Sequence, residues 1–255
     1  MKVEHYKNAP QKLRDELSPL FAILEETIAQ EVESAFTAII ANNPNLTLYS
    51  LGLYYHGWGY IIPTFSSEEG LEQVAKHYIE AVEQIDKRYG KGSDQEFDLE
   101  KKTLRWSPCD SPHHGEEELE SMMPKTEALL SKLSSIMDFA DPTFEKYQWP
   151  QAYQDDSELY DDFFSELYYQ FEEFVISAMN KIWENKHLHD FFVTNDCALT
   201  LNAGDISDEN FLEYTEKLNS KRITQKLTQE IQDWHEASKE LSKIRRDKRQ
   251  QELTN

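Results

Sequence analysis

Only two cysteines, Cys109 and Cys197, occur in 255 residues. Two thiols cannot build a disulfide framework; one bond between them is conceivable, and so low a count fits a reducing compartment. Glycine and proline are also sparse, at 8 and 9 residues, which leaves no room for a long low-complexity linker. No apolar run reaches the roughly 18 residues a membrane-spanning helix needs. The opening stretch MKVEHYKNAPQKLRDELSPLF has no apolar signal core. A soluble, cytoplasmic protein is therefore expected. A glycine-rich phosphate loop, a Ser-x-x-Lys pair and a Gly-x-Ser-x-Gly elbow are all missing, so the usual sequence handles on nucleotide and acyl chemistry do not apply.

Basic residues are scarce as well. There are 26 Lys and Arg against 48 Asp and Glu, a net charge of −22. Such a chain repels nucleic acid and anionic lipid and favours a basic protein partner. The scarcity is uneven, because residues 239–249, KELSKIRRDKR, hold six bases and two acids. Cations near a helix C-terminus are favoured by its dipole, which accounts for part of that cluster. What the chain has in quantity is aromatic surface, with 13 Phe, 13 Tyr and 5 Trp. A chain this aromatic folds, and its length suits one large domain or two small ones, enough to bury a real core.

The apolar spacing predicts a helix over 19–41, carried by Leu20, Leu24, Ile28, Val32, Phe36 and Ile39, with Ser18 as N-cap and Pro19 at the first position, and residues 11–17 read as a separate short helix before it. Residues 46–54 and 58–63 read as two strands around a His56-Gly57 turn, apolar enough on both faces to be covered on both. Ser66 and Glu69 have capping-box spacing for a helix that buries Leu71, Val74, Ala75, Tyr78, Val82 and Ile85 and ends near Tyr89-Gly90. GKGSDQEFDLEKK reads as a polar loop, and 103–107 as a short strand. Further helices are predicted at 124–137, 157–185, after Asp205 and Ser207 as far as Leu218, and at 224–248, with a strand at 198–202. The sum is a single α+β domain over 1–232: a small antiparallel or mixed sheet of four or more strands flanked by helices. A helical extension with a basic end follows over 233–255.

LRWSPCDSPHHGEE, residues 104–117, concentrates reactive side chains. Cys109, Asp110 and His113 are the residue types of a thiol enzyme, the weak catalytic candidates of the chain. A catalytic cysteine, however, is usually served by a distant histidine and a helix N-terminus, and neither is evident here. Cys109, His113 and His114 with His187 and His189 are zinc-ligand types, but adjacent histidines rarely hold one ion and no Cys-x-x-Cys pair exists. No metal and no cofactor are expected. The plainer reading is a turn: Pro108 and Pro112 fix the backbone, and Asp110 and Ser111 cap it. Arg105, Trp106, Asp110, His113 and His114 then border a recognition surface.

Three stretches, LYSLGLYYHGWGYIIPTFSSEEGLEQVAKHY, LRWSPCDSPHHGEE and LTLNAGDISDENFLEYTEKLN, together resemble the uncharacterised bacterial family called domain of unknown function 4303, over about residues 20–232. Arg105-Trp106-Ser107-Pro108-Cys109-Asp110 is the most specific of these. The resemblance implies a compact acidic bacterial domain of a kind associated with immunity proteins of toxin systems. It carries no activity and no site residues.

Residues 155–173, DDSELYDDFFSELYYQFEE, hold eight acids and no base among tyrosines and phenylalanines. Acids mixed with aromatics suit an Arg- and Lys-rich target, so Asp155, Asp156, Asp161 and Asp162 are candidate binding residues. They also sit where acids favour a helix N-terminus without any partner. The expected function is a non-enzymatic, immunity-type inhibitor that binds a basic toxin. The alternatives are an enzyme built on the Cys109 loop and a scaffold acting through its C-terminal helix, whose stripe is Leu227, Ile231, Trp234, Leu241 and Ile244.

Overall fold

The computed structural model describes residues 4–85, 91–114, 117–204 and 206–253. Helices dominate, and three strands form one mixed sheet rather than the four or more expected. In order the elements are α1 (Glu4–Asn8), α2 (Gln11–Asn42), β1 (Leu48–His56), β2 (Tyr60–Ser67), α3 (Glu68–Ile85), α4 (Asp94–Leu104), α5 (Glu117–Glu120), α6 (Pro124–Met137), α7 (Gln151–Asp155), α8 (Ser157–Asn180), α9 (Lys186–Asn195), β3 (Ala198–Ala203), α10 (Asp208–Leu218) and α11 (Lys221–Leu253). Compactness divides the chain into two units. The first holds Met1–Ala38, Tyr55–Pro63 and Glu118–His189; the second holds Ile39–Tyr54, Thr64–Glu117 and Asp190–Asn255.

The hairpin forms where the sequence places it. Gly57 sits at φ 52°, a conformation that costs glycine nothing and lets the chain reverse. Every residue of β1 and β2 except His56 and Tyr60 is buried, so both faces of this pair are covered. The sheet order is β2-β1-β3. Ser50 and Thr200 share a buried hydroxyl–hydroxyl bond of 3.0 Å from β1 to β3. Gly52 is required there, because a Cβ would collide with Thr200.

Several expectations need correction. α2 starts at Gln11, not Pro19, because Leu13 and Leu17 continue the apolar stripe and are fully buried. Pro19 therefore lies inside the helix, and Ser18 is no cap; its hydroxyl bonds the Tyr6 hydroxyl at 2.9 Å. The cap of α3 is Ser67, which accepts from the Gly70 N–H at 3.0 Å, while Glu69 turns back to accept from the Thr47 N–H and hydroxyl. On α3 only Leu71 and Ala75 of the expected stripe are buried; Tyr78 and Ile85 are exposed. The end expected at Tyr89-Gly90 and the cap role of Asp205 lie outside the described residues. Ser207 does cap α10, accepting from the Asn210 N–H.

The largest correction is α4. It occupies the stretch read as a polar loop, and its last residues replace the strand expected over 103–107. A Ser93–Glu96 capping box opens it, with both reciprocal bonds made. Leu99 packs with Ala237 and Leu241 of α11, and Leu104 with Tyr49, Leu71 and Ala75. Residues 237–248 of α11 thus pack within the second unit. Their bases are paired there: Arg245 bonds Glu100, and Lys248 bonds Glu96.

Candidate functional site

Two regions collect the residues singled out by the sequence, one in each unit. In the second unit, α4 ends at Leu104 and hands the chain to Arg105, still in helical conformation at φ −53°. The Arg105 guanidinium forks onto Glu68, with Nη2 to Oε1 at 2.6 Å and Nη1 to Oε2 at 3.1 Å. Its Nε lies 3.4 Å from Glu230, and its plane covers the Tyr49 ring at 4.3 Å. The Arg105 hydrogen bond holds the Glu68 carboxyl below its ordinary range, against the opposing effect of burial. The Tyr49 hydroxyl donates back to the Arg105 carbonyl at 2.7 Å, and the Trp106 indole N–H donates to Glu230 at 3.0 Å. Arg105 and Trp106 therefore tie α3, α4, β1 and α11 together.

Beyond them a 3-10 turn, Pro108–Asp110, breaks the helix direction. Asp110 accepts a hydrogen bond from the Tyr78 hydroxyl, which pushes that phenol up to about 12. Ser111 donates to the Phe65 carbonyl at 2.9 Å, pinning the turn to β2. His113 stacks on Phe65 with ring centres 4.1 Å apart, and His114 meets Tyr54 edge-on at 4.8 Å. Cys109 alone of the catalytic candidates is exposed, and it lines a cavity between α4, β3, α10 and α11 that neither Asp110 nor His113 lines. Cys109, Asp110 and His113 thus face three different surroundings. Among the described residues no group of three His, Cys, Asp or Glu is placed to hold a metal ion. Cys109 and Cys197 are free thiols, and burial pushes the Cys197 thiol well up.

The sequence of the whole region decides its kinship: the profile of "Domain of unknown function (DUF4303)" matches residues 28–220. The chain belongs to this family. No curated protein matches, and no solved structure does. The DUF4303 segment takes in the hairpin, the turn after α4 and both candidate regions. It ends just before α11, so Glu230, Arg245 and Lys248, the α11 partners of Arg105, Glu100 and Glu96, come from outside the matched residues.

In the first unit of this DUF4303 chain, α8 opens on Asp156, which caps it by accepting from the Glu158 N–H at 3.0 Å. Asp155 accepts from Gln151 at 2.8 Å. Asp155, Asp156, Asp161 and Asp162 are all exposed, and none has an ion-pair partner among the described residues. The opposite side of α8 buries Phe163, Leu167 and Phe171, as its spacing predicts. Phe164 and Tyr169 stand exposed beside the acids. Next to them the loop before α7 forms a cleft of about 770 Å³, lined by Asp141, Phe144, Tyr147, Trp149, Tyr153 and Tyr160 among others. Trp149 meets Tyr160 edge-on at 5.8 Å and tilts over Tyr153 at 5.0 Å. Burial, helped by the negative charge of Asp141 and Asp161, pushes the Tyr160 phenol up to about 12.

Sequence reasoning missed the cleft as a site, although Phe144, Tyr147, Trp149 and Tyr153 lie within ten residues. Aromatics that close together between helices were the available signal.

Proposed function

We propose that the chain is a protein-binding domain whose first unit receives basic side chains of a protein partner, in the manner of an immunity-type inhibitor of a basic bacterial toxin. The observation that carries this reading is the adjacency, within one unit, of the aromatic cleft and the acids Asp155, Asp156, Asp161 and Asp162, which have no ion-pair partner among the described residues. Aromatic faces attract a Lys or Arg head, and carboxylates without a counter-ion supply the longer-range pull. The chain's own Lys146 illustrates the chemistry, lying 4.7 Å from the centre of the Tyr147 ring. The turn at Cys109 supports this reading by contrast, since its polar side chains are spent on holding the second unit together.

The test is capture from the native host on immobilised chain, eluted in rising salt, in parallel with a variant carrying Asp155→Lys, Asp161→Lys, Asp162→Lys and Asp156→Asn. Asparagine keeps the cap of α8, and the other three substitutions fall on exposed positions. A basic protein held by the parent, released by salt and lost to the variant is expected. Equal retention on both would overturn the proposal.

A further inference from the structure

The cavity beside Cys109 is built for something the protein-binding reading does not use. It measures about 320 Å³ and lies wholly in the second unit. Its apolar walls are Trp106, Ile206, Phe211, Ile231 and Trp234. This is at the lower end of the size of a small-molecule site.

Thr103, Ser107, Asp208 and Asn202 are its polar lining, and Asn202 is the one amide among them. Side chains alternate along β3, so Asn202 shares a face with Ala198, and Ala198 packs with Phe211 and Ile231, which also wall the cavity. Asn202 is 5% exposed and lines the cavity, and its amide atoms are not among the buried side-chain atoms left without a partner, so the amide is open to what the cavity holds. An amide offers one acceptor and two donors. The partner that would satisfy it has a donor and an acceptor side by side on a flat edge, and the surrounding tryptophan and phenylalanine rings suit a flat ring. Charge narrows the class further. No Lys or Arg lines the cavity among the described residues, whereas Asp208 does, held by His235 at 2.8 Å. The nearby Arg105 is committed to Glu68 and Glu230. A phosphate has nothing here to neutralise it.

We infer that this cavity binds an uncharged heteroaromatic molecule of the nucleobase or nucleoside class, read by the Asn202 carboxamide, and that it excludes nucleotides.

Cys109 provides the readout. It is exposed and lines the cavity, whereas Cys197 is buried, so iodoacetamide labels Cys109 first in the folded chain. The labelling rate of the full chain is followed by mass spectrometry against rising adenosine, guanosine, cytidine, adenosine monophosphate and indole. Saturable protection by at least one nucleoside is expected. The monophosphate of a protecting base should need roughly tenfold more, and Asn202→Leu should weaken protection by about the same factor, the worth of one or two hydrogen bonds. Asn202→Asp keeps the shape but loses the donors, and serves where the leucine variant fails to fold. Absence of protection by any nucleoside overturns the inference. So does protection by indole that survives both substitutions, which would mean apolar filling alone, or protection by the monophosphate equal to that by its nucleoside.

Discussion

Asp161 on α8 and Glu100 on α4 are both carboxylates on helices of a chain with net charge −22, yet they live in different electrostatic worlds. Asp161 is exposed and faces water. Glu100 is 4% exposed and bonded to Arg245, and its neighbour Glu96, at 3% exposed, is bonded to Lys248. The difference teaches that formal charge is a poor map of a binding surface until the paired charges are removed from it. The basic cluster at the end of α11 looks like an isolated cationic patch in the sequence. In the fold part of it is the internal counter-charge of α4.

The comparison breaks most visibly at Arg105. Its fork on Glu68, its contact with Glu230 and its cover over Tyr49 are all within the second unit. Replacing it by alanine strands two acids in a partly buried setting and should cost about 1.5–3 kcal/mol. Lysine would not rescue it fully, lacking both the fork and the flat face. Asp161→Ala and Asp162→Ala, by contrast, should stay within about 0.5 kcal/mol of the parent. Urea denaturation of the three variants decides it; equal effects at Arg105 and Asp161 would erase the distinction.

A finer contrast exists inside the acidic run itself. Asp156 caps α8, whereas Asp161 and Asp162 lie past the first turn of the helix. Asp156→Ala should therefore cost about 1 kcal/mol, with most of it recovered in Asp156→Asn or Asp156→Ser. Thermal melts that fail to separate Asp156→Ala from Asp161→Ala would remove the structural role assigned to Asp156 and return it to the binding surface.

The same contrast explains what could be read from the sequence. Helix α8 was legible because leucines and phenylalanines fill its inner face and acids its outer one. The hairpin was legible because Gly57 interrupts an apolar run at the turn. Helix α4 was not, because Glu96 and Glu100 occupy two positions of its buried stripe beside Leu99 and Leu104. A buried glutamate looks polar to any periodicity argument, and its justification is a base some 145 residues away on α11. With α4 misread as a loop, Arg105 and Trp106 appeared to end a strand, and the sheet gained a strand it does not have. The Ser93-x-x-Glu96 spacing was the local clue. The site at Asn202 was illegible for a related reason: a strand residue lines a cavity only when α10 and α11 wall it in.

The smallest effect is in pH dependence, and it separates two acids of the second unit that a charge count treats alike. Arg105 lowers the Glu68 carboxyl, so the folded state holds this proton more weakly than the unfolded chain does. The stability it contributes is complete above the ordinary carboxylate range and is lost as pH falls through the lowered value. Glu100 runs the other way. Burial raises it by more than Arg245 recovers, so the folded state takes up this proton first. On acidification Glu100 therefore adds stability before Glu68 begins to remove it. Urea midpoints measured from neutral pH down to about 3 should show a shallow rise followed by a decline. Glu100→Gln should flatten the rise and leave the decline, and Glu68→Gln should do the reverse. A decline untouched by Glu68→Gln would show that the Arg105 fork is not what ties this unit's stability to pH.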